Sequence, residues 1–180
     1  ISDLLNDKQL IGLKHYEDIL KRIPQIEIDK HDTYLKSVLK FLNPQAELTI
    51  AGSYRRKAKD SGDIDVLLKG TPELYKTFIN LLEDGGYLYE TLAKGTKKYN
   101  GMCKLSGCLT FRRIDIMITK PEEYPFAILY FTGSKDFNTQ MRQHALDKGL
   151  SMNEYSLKHS SDKSVVDHVF KTERDIFDYL

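Results

Sequence analysis

The sequence predicts an α+β fold: a mixed, mostly antiparallel sheet with flanking helices, followed by a small α/β C-terminal subdomain. Three observations predict it. Short strand-like runs, at 48–51, 63–68, 88–92, 97–105 and 111–119, are separated by Gly and Ser turns. Apolar residues at helical spacing mark the segments before and between them. After Pro121 the chain changes to a compact aromatic–aliphatic pattern, which sets the last third apart.

The elements follow in order. Asn6 with Gln9 forms a capping-box pattern that opens a helix running through Ile11, Tyr16, Ile19 and Leu20 to Pro24. Ile28, Leu35, Val38, Leu39 and Leu42 share one face of a second helix, stopped at Asn43-Pro44. Pro72 at a first helical position starts a helix over 73–84, and Gly85-Gly86 ends it. Beyond Pro121, a helix over 124–131 breaks at Thr132-Gly133-Ser134. A second, over 136–148, buries Phe137, Met141 and Leu146, and a strand is expected over 150–157. Thr172 is a good N-cap for a closing helix.

Composition excludes several classes. The 180 residues are 41% hydrophobic and 29% charged, as in ordinary globular proteins. No apolar run approaches the roughly 20 residues of a membrane span, and the start, ISDLLNDKQL, lacks a signal-peptide pattern. Cys103 and Cys108 have no metal-ligand spacing with a histidine pair and read as reduced thiols, which points to an intracellular protein. His144, His159 and His168 carry no assigned role. Net charge is only +1, but residues 52–119 hold 12 basic and 8 acidic groups, a local excess of +4. Positive field is thus concentrated in the middle of the chain.

The richest stretch lies there: GSYRRKAKDSGDID, residues 52–65. Gly52 and Ser53 follow an apolar strand, so their amides stand at a helix start where anions bind, among Arg55, Arg56, Lys57 and Lys59 as mobile positive charge. Asp63 and Asp65 are two apart on a strand and share a face, while Ile64, Val66 and Leu68 point into a core. Asp115 repeats this arrangement between Ile114 and Ile116, with Arg113 on its own face. If the two strands are neighbours, three carboxylates cluster, and a divalent cation relieves their repulsion. Amides and arginines beside paired carboxylates suit a metal–polyphosphate complex. A polar hairpin with a solvated acidic edge is the plainer alternative for Asp63 and Asp65 alone.

Gly52-Ser53-Tyr54-Arg55-Arg56, Ser61-Gly62-Asp63-Ile64-Asp65-Val66, Arg112-Arg113-Ile114-Asp115-Ile116 and Tyr130-Phe131-Thr132-Gly133-Ser134 occur in this order. Phe137-Asn138, Met141-Arg142 and Asn153-Glu154-Tyr155 follow them. Together they resemble the family X DNA polymerases, the family of the beta and lambda enzymes, over nearly the whole chain. The resemblance implies a nucleotidyltransferase-type palm over 23–119. A linker helix at 1–22, the remnant of a DNA-binding subdomain, precedes it, and a nucleotide-selection subdomain at 120–180 follows. It implies that Asp63, Asp65 and Asp115 are catalytic and hold two Mg²⁺ ions, for which Mn²⁺ can substitute. Gly52, Ser53, Arg56, Gly62 and Arg22 then serve the nucleotide phosphates, and Tyr130, Phe131, Gly133 and Asn138 its sugar and base. Arg113 contacts the primer-end phosphate, Arg142 the template, and Glu154 and Tyr155 latch a closed form.

Other readings stand beside these. Tyr130 and Phe131 fit a packed core equally well, and Arg142 fits an exposed helix face. Lys135 and Thr139 depart from the family pattern, which has an acidic residue and a lysine there. The family's amino-terminal lyase and helix-hairpin-helix parts have no counterpart in these 180 residues, which reads either as a minimal viral-type enzyme or as a trimmed catalytic fragment. The implied reaction is repair-type, DNA-directed addition of a dNTP to a primer 3′-hydroxyl. The implied partners are gapped or primer-template DNA and dNTP, with no membrane, by a monomer, in the nucleus if the source is a eukaryotic cell. Template-independent or RNA-tailing nucleotidyl transfer is the alternative within enzymes, and a non-catalytic DNA- or partner-binding module the alternative outside them.

Overall fold

The structure, a computed structural model, describes residues 2–180. After a 3₁₀ turn at Ser2–Leu4, the chain forms α1 (Asp7–Lys14), α2 (Tyr16–Leu20), β1 (Ile23–Pro24) and α3 (Gln25–Leu42). Then come β2 (Glu47–Ile50), the single turn α4 (Gly52–Arg55), β3 (Asp60–Ser61), β4 (Ile64–Lys69) and α5 (Pro72–Asp84). The strands β5 (Leu88–Lys94), β6 (Lys98–Cys103) and β7 (Arg112–Thr119) follow. The last part holds α6 (Tyr124–Thr132), α7 (Lys135–Asp147), β8 (Leu150–Met152), β9 (Leu157–His159) and α8 (Glu173–Tyr179). Among the described residues no helix is long and apolar enough to cross a membrane.

Strand order in the main sheet is β2-β4-β7-β6-β5. Three of its four pairings are antiparallel, and β4 with β7 is the parallel one. The mixed, mostly antiparallel sheet expected from the sequence is thus present. Its alternation does the work: Ile64, Val66, Leu68, Ile114 and Ile116 point to one face. There they meet Ile28, Leu35 and Leu39 of α3 and Phe78, Ile79 and Leu82 of α5. Leu67 and Met117 point the other way and are covered by Ala127 and Ile128 of α6. The opposite side of α6 supplies Phe126 and Leu129 to a separate C-terminal core with Met141, Ala145, Leu157 and Ile176. One short helix therefore joins the far face of the sheet to the C-terminal core.

Local signals largely govern the element ends. Asn6 and Gln9 form the predicted capping box on α1, and Thr172 forms another with Asp175 on α8. Thr71 caps α5 ahead of Pro72. The single helix expected from Asn6 to Pro24 is instead two, α1 and α2, parted at His15, with Ile23–Pro24 in a strand. Two further expectations fail in the C-terminal part. The strand expected over 150–157 is instead a hairpin, β8 paired antiparallel with β9. Asn153 makes its turn by accepting the Tyr155 and Ser156 amides, both at 2.9 Å. Leu146 is exposed. Ala145 faces inward instead, because α7 keeps the four-residue step from Met141.

Arg112 is 7% exposed and ties the helical layer to the sheet. Its Nε and Nη2 donate to the two oxygens of Glu27 on α3 at 2.8 and 2.7 Å, and its Nη1 reaches the carbonyls of Lys21 and Arg22. This guanidinium holds the Glu27 carboxyl below its ordinary range. Beside it His31 is buried, bonds Tyr87 Oη through Nδ1 at 2.7 Å, and is driven by desolvation to about 4, so it is neutral. Removing one partner of a buried, bidentate pair strands the other charge. Glu27→Gln is expected to cost about 3 kcal/mol in urea unfolding, against the ~0.5 kcal/mol or less of a surface change. A cost within that surface range would show the pair to be dispensable.

Candidate active site

The parallel pairing of β4 with β7 puts Asp65 directly opposite Asp115. Asp63 precedes β4 by one residue and, two before Asp65, shares its face. The neighbouring-strand condition on which the carboxylate cluster depended is therefore met. Burial is the main cause that raises Asp63, with the Asp115 charge next. Asp65 is pushed up to about 7, first by desolvation and then by the charges of Asp63 and Asp115. Arg113 and Lys98 partly offset both shifts.

Gly52 closes in on the same carboxylate. Its φ is +60°, and a Cβ placed there would lie 2.5 Å from Asp65 Oδ2. Only glycine meets both conditions. The turn that follows is fixed from below by Ser53 Oγ donating to the buried Ser61 Oγ at 2.6 Å. Arg56 crosses to the C-terminal part, where its Nη1 donates to the Thr132 carbonyl at 2.6 Å. Arg55, expected to be mobile positive charge, is instead pinned. It makes a bidentate pair with Glu173 of α8 at 2.8 Å and donates to Thr132 Oγ1 at 2.9 Å. The basic turn thus clamps the end of α6 and the start of α8 against the sheet.

Between these walls lies a cleft of about 570 Å³. Its lining includes Gly52, Ser53, Arg56, Asp63 and Asp65 on one side, and Tyr130, Phe131, Gly133, Asn138 and Arg142 on the other. Ten of the predicted site residues therefore converge on one space. Gly133 has φ +66° and is joined to Ser134 by a cis peptide bond. Asn138 is oriented by donating Nδ2 to the Tyr130 carbonyl at 2.8 Å. Tyr130 and Phe131 are half-buried and meet edge to face, so they line the cleft while also packing. Lys135 and Thr139, the two departures noted above, also line it.

Asp115, the third predicted catalytic aspartate, lies outside this lining, as do other predicted residues. Arg22 pairs with Asp60 at 2.9 Å, and its Nη1 lies 3.1 Å from where a Gly62 side chain would begin. Arg113 is half-buried, and its Nε has no protein partner. Tyr155 lies on a different groove, beside Phe126 and Val166, and Glu154 does not line the cleft. Sequence reasoning missed Thr132, the acceptor for both arginines. It also missed Lys98 and Asn100, which engage Asp115. Both are polar, two apart in a predicted strand, and alternation alone puts them on one face.

Chemically, the three aspartates offer only hard oxygen donors, which suit Mg²⁺ or Mn²⁺. They do not form a closed cage by themselves. Among the described residues, no group of three or more His, Cys, Asp or Glu side chains is placed to hold an ion. Asp115 instead takes a hydrogen bond from Asn100 Nδ2 and lies 3.3 Å from Lys98 Nζ. The desolvated, mutually repelling Asp63 and Asp65 are the part of the set with most to gain from a cation.

Comparison with known proteins accords with this geometry. Residues 22–121 match the family model described as DNA polymerase beta palm, and residues 127–180 match DNA polymerase beta thumb. The chain belongs to the family X DNA polymerases. Among similar proteins, DNA polymerase lambda of Rattus norvegicus is 34% identical over 164 residues, covering 85% of this chain and 29% of that protein. DNA polymerase lambda of Arabidopsis thaliana is 27% identical, covering 99% of this chain and 38% of that protein. DNA nucleotidylexotransferase of Xenopus laevis is 24% identical, covering all of this chain and 45% of that protein. The chain thus spans less than half the length of these family X relatives.

The Asp65 shift has a stability consequence. Its folded-state value stands above the ordinary carboxylate value, so the folded protein holds a proton that the unfolded chain releases. Stability from this group is present at acid pH and is lost as pH rises from about 4 to about 7. Asp65→Asn removes that loss. Without divalent cations it is expected to melt a few degrees above the parent at pH 8, with the gain shrinking toward pH 4. Melting curves in EDTA test this, and a variant less stable than the parent at pH 8 would contradict it.

Proposed function

We propose that this chain catalyses nucleotidyl transfer, adding a dNTP to a DNA primer 3′-hydroxyl as the catalytic part of a repair-type, DNA-directed polymerase. One observation carries the reading. Asp65 and Asp115 stand in register on parallel strands, and Asp63 and Asp65 line a cleft whose far wall is Tyr130 to Gly133. A purely structural acidic edge does not account for a φ +60° glycine pressed against one of those carboxylates.

The residues divide the labour by position. Asp63, Asp65 and Asp115 would hold the divalent cations. Bound there, Mg²⁺ ions supply charge neutralisation for the phosphates and acidify the attacking hydroxyl. The Gly52-Ser53 amides and Arg56 receive the outer phosphates, with Arg22 and Gly62 at the edge of the same turn. Arg113, with its unpartnered Nε beside the aspartates, offers a donor to the primer-end phosphate. Tyr130, Phe131, Gly133 and Asn138 shape the sugar and base position, and Arg142 extends this wall toward the template. Glu154 and Tyr155, outside the cleft lining, act in closure rather than in contact with nucleotide.

In domain terms, residues 1–22 form a linker, 23–119 the palm and 120–180 the nucleotide-selection unit. The protein works as a monomer on gapped or primer-template DNA, in the nucleus of a eukaryotic source. Template-independent addition is the second reading, favoured by the likeness to DNA nucleotidylexotransferase. Extension of gapped against single-stranded primers separates the two.

Asp115→Asn supplies the sharper test. In single-turnover extension the rate is expected to fall on the order of a hundredfold or more, about 3 kcal/mol of transition-state stabilisation. Affinity for dNTP on a dideoxy-terminated primer stays near the parent's, because Asp63 and Asp65 remain. Near-parental extension by a variant that melts early would make Asp115 structural and overturn the assignment.

A further inference from the structure

The row that contains Asp65 and Asp115 does not end at β7. In the antiparallel pairing of β6 with β7, Asn100 stands directly opposite Asp115, so Asp65, Asp115 and Asn100 lie side by side across three strands. Tyr99, between Lys98 and Asn100, is fully buried on the other face, which leaves those two on the carboxylate face. The register of β6 is itself constrained. A side chain at Gly101 would meet the Glu90 carbonyl at 2.3 Å, where β5 bulges against it. Asn100 Nδ2 donates to Asp115 Oδ1, and Lys98 Nζ lies 3.3 Å from Oδ2.

The two contacts differ in kind. An amide is neutral and short, and it fixes the orientation of a carboxylate while leaving its charge free for a cation. An ammonium on a flexible, 54%-exposed side chain satisfies that charge and can swing away. We infer that Asn100 is a positioning residue that sets the Asp115 carboxylate for metal, and that Lys98 is a removable counter-ion competing with the metal for its second oxygen. This rests on the metal-dependent reading proposed above. The acidic row is thereby kept from carrying all its repulsion while no cation is bound, and Lys98 is displaced when one arrives.

Partners that orient metal ligands typically change affinity by about 10–100-fold. The test measures Mn²⁺ binding by electron paramagnetic resonance, with the protein saturated with dideoxy-terminated gapped DNA and dNTP, so that no chemistry intervenes. Asn100→Leu is expected to weaken Mn²⁺ about tenfold. Lys98→Met is expected to tighten it, with dNTP affinity unchanged in both. Opposite signs are the signature, since damage to the fold weakens binding in both variants. Should Asn100→Leu fail to fold, Asn100→Ser takes its place. Mn²⁺ affinity unmoved by loss of the amide, or weakened by Lys98→Met, overturns this inference alone. A parent complex that binds no Mn²⁺ overturns both it and the reading on which it rests.

Discussion

Two like charges held side by side by backbone register are the feature on which the rest of this structure depends. The parallel pairing of β4 with β7 leaves Asp65 and Asp115 no freedom to separate, and Asp63 joins them from the strand's entry. Burial then raises the cost, as the displacement of Asp65 to about 7 records. The fold sustains this cluster because the opposite face of the same strands is packed with Ile64, Val66, Ile114 and Ile116 against α3 and α5. Slipping either strand by one residue would relieve the carboxylates only by turning that apolar set outward. Hydrophobic packing thus holds in place an arrangement that electrostatics opposes, as expected where a site is organised for a ligand it must bind.

The surroundings read as responses to that cluster. Gly52 exists to let the backbone approach Asp65, and the turn after it sends Arg55 and Arg56 in different directions. Arg55 is committed to Glu173, and so couples the basic turn to the last helix. Arg56 keeps one donor on a backbone carbonyl and lines the cleft. The adjacent arginines Arg112 and Arg113 divide in the same way. Arg112 is consumed by Glu27 inside the protein, whereas Arg113 faces the aspartates with a nitrogen to spare. In each pair one member is committed to a carboxylate of the fold, while the other lies at the cleft or beside the aspartates.

Much of this was legible in the sequence where local rules carry the information. Alternation identified β4 and β7 and the faces of their aspartates, and the capping patterns at Asn6 and Thr172 fixed two helix starts. Spacing alone left open whether the two strands were neighbours, because strand order is set by long-range packing. The fate of Arg55 was hidden for the same reason, its partner lying 118 residues away. The hairpin at Asn153 reads as one strand in the sequence because no Gly or Pro marks its turn. An asparagine side chain holds it instead. Lys98 and Asn100 carry no local signal, because their meaning depends on what the next strand places opposite them.

If the carboxylate row is a cation site for nucleotidyl transfer, heavy metal should be found there and nowhere else in the protein. A crystal of the chain with dideoxy-terminated gapped DNA, dNTP and Mn²⁺ can be read by anomalous scattering at the manganese edge. Two peaks coordinated by Asp63, Asp65 and Asp115, with nucleotide phosphates between them and the Gly52–Arg56 turn, are the expected result. Nucleotide bound in the cleft without manganese at the aspartates, or manganese held by other residues, would contradict it.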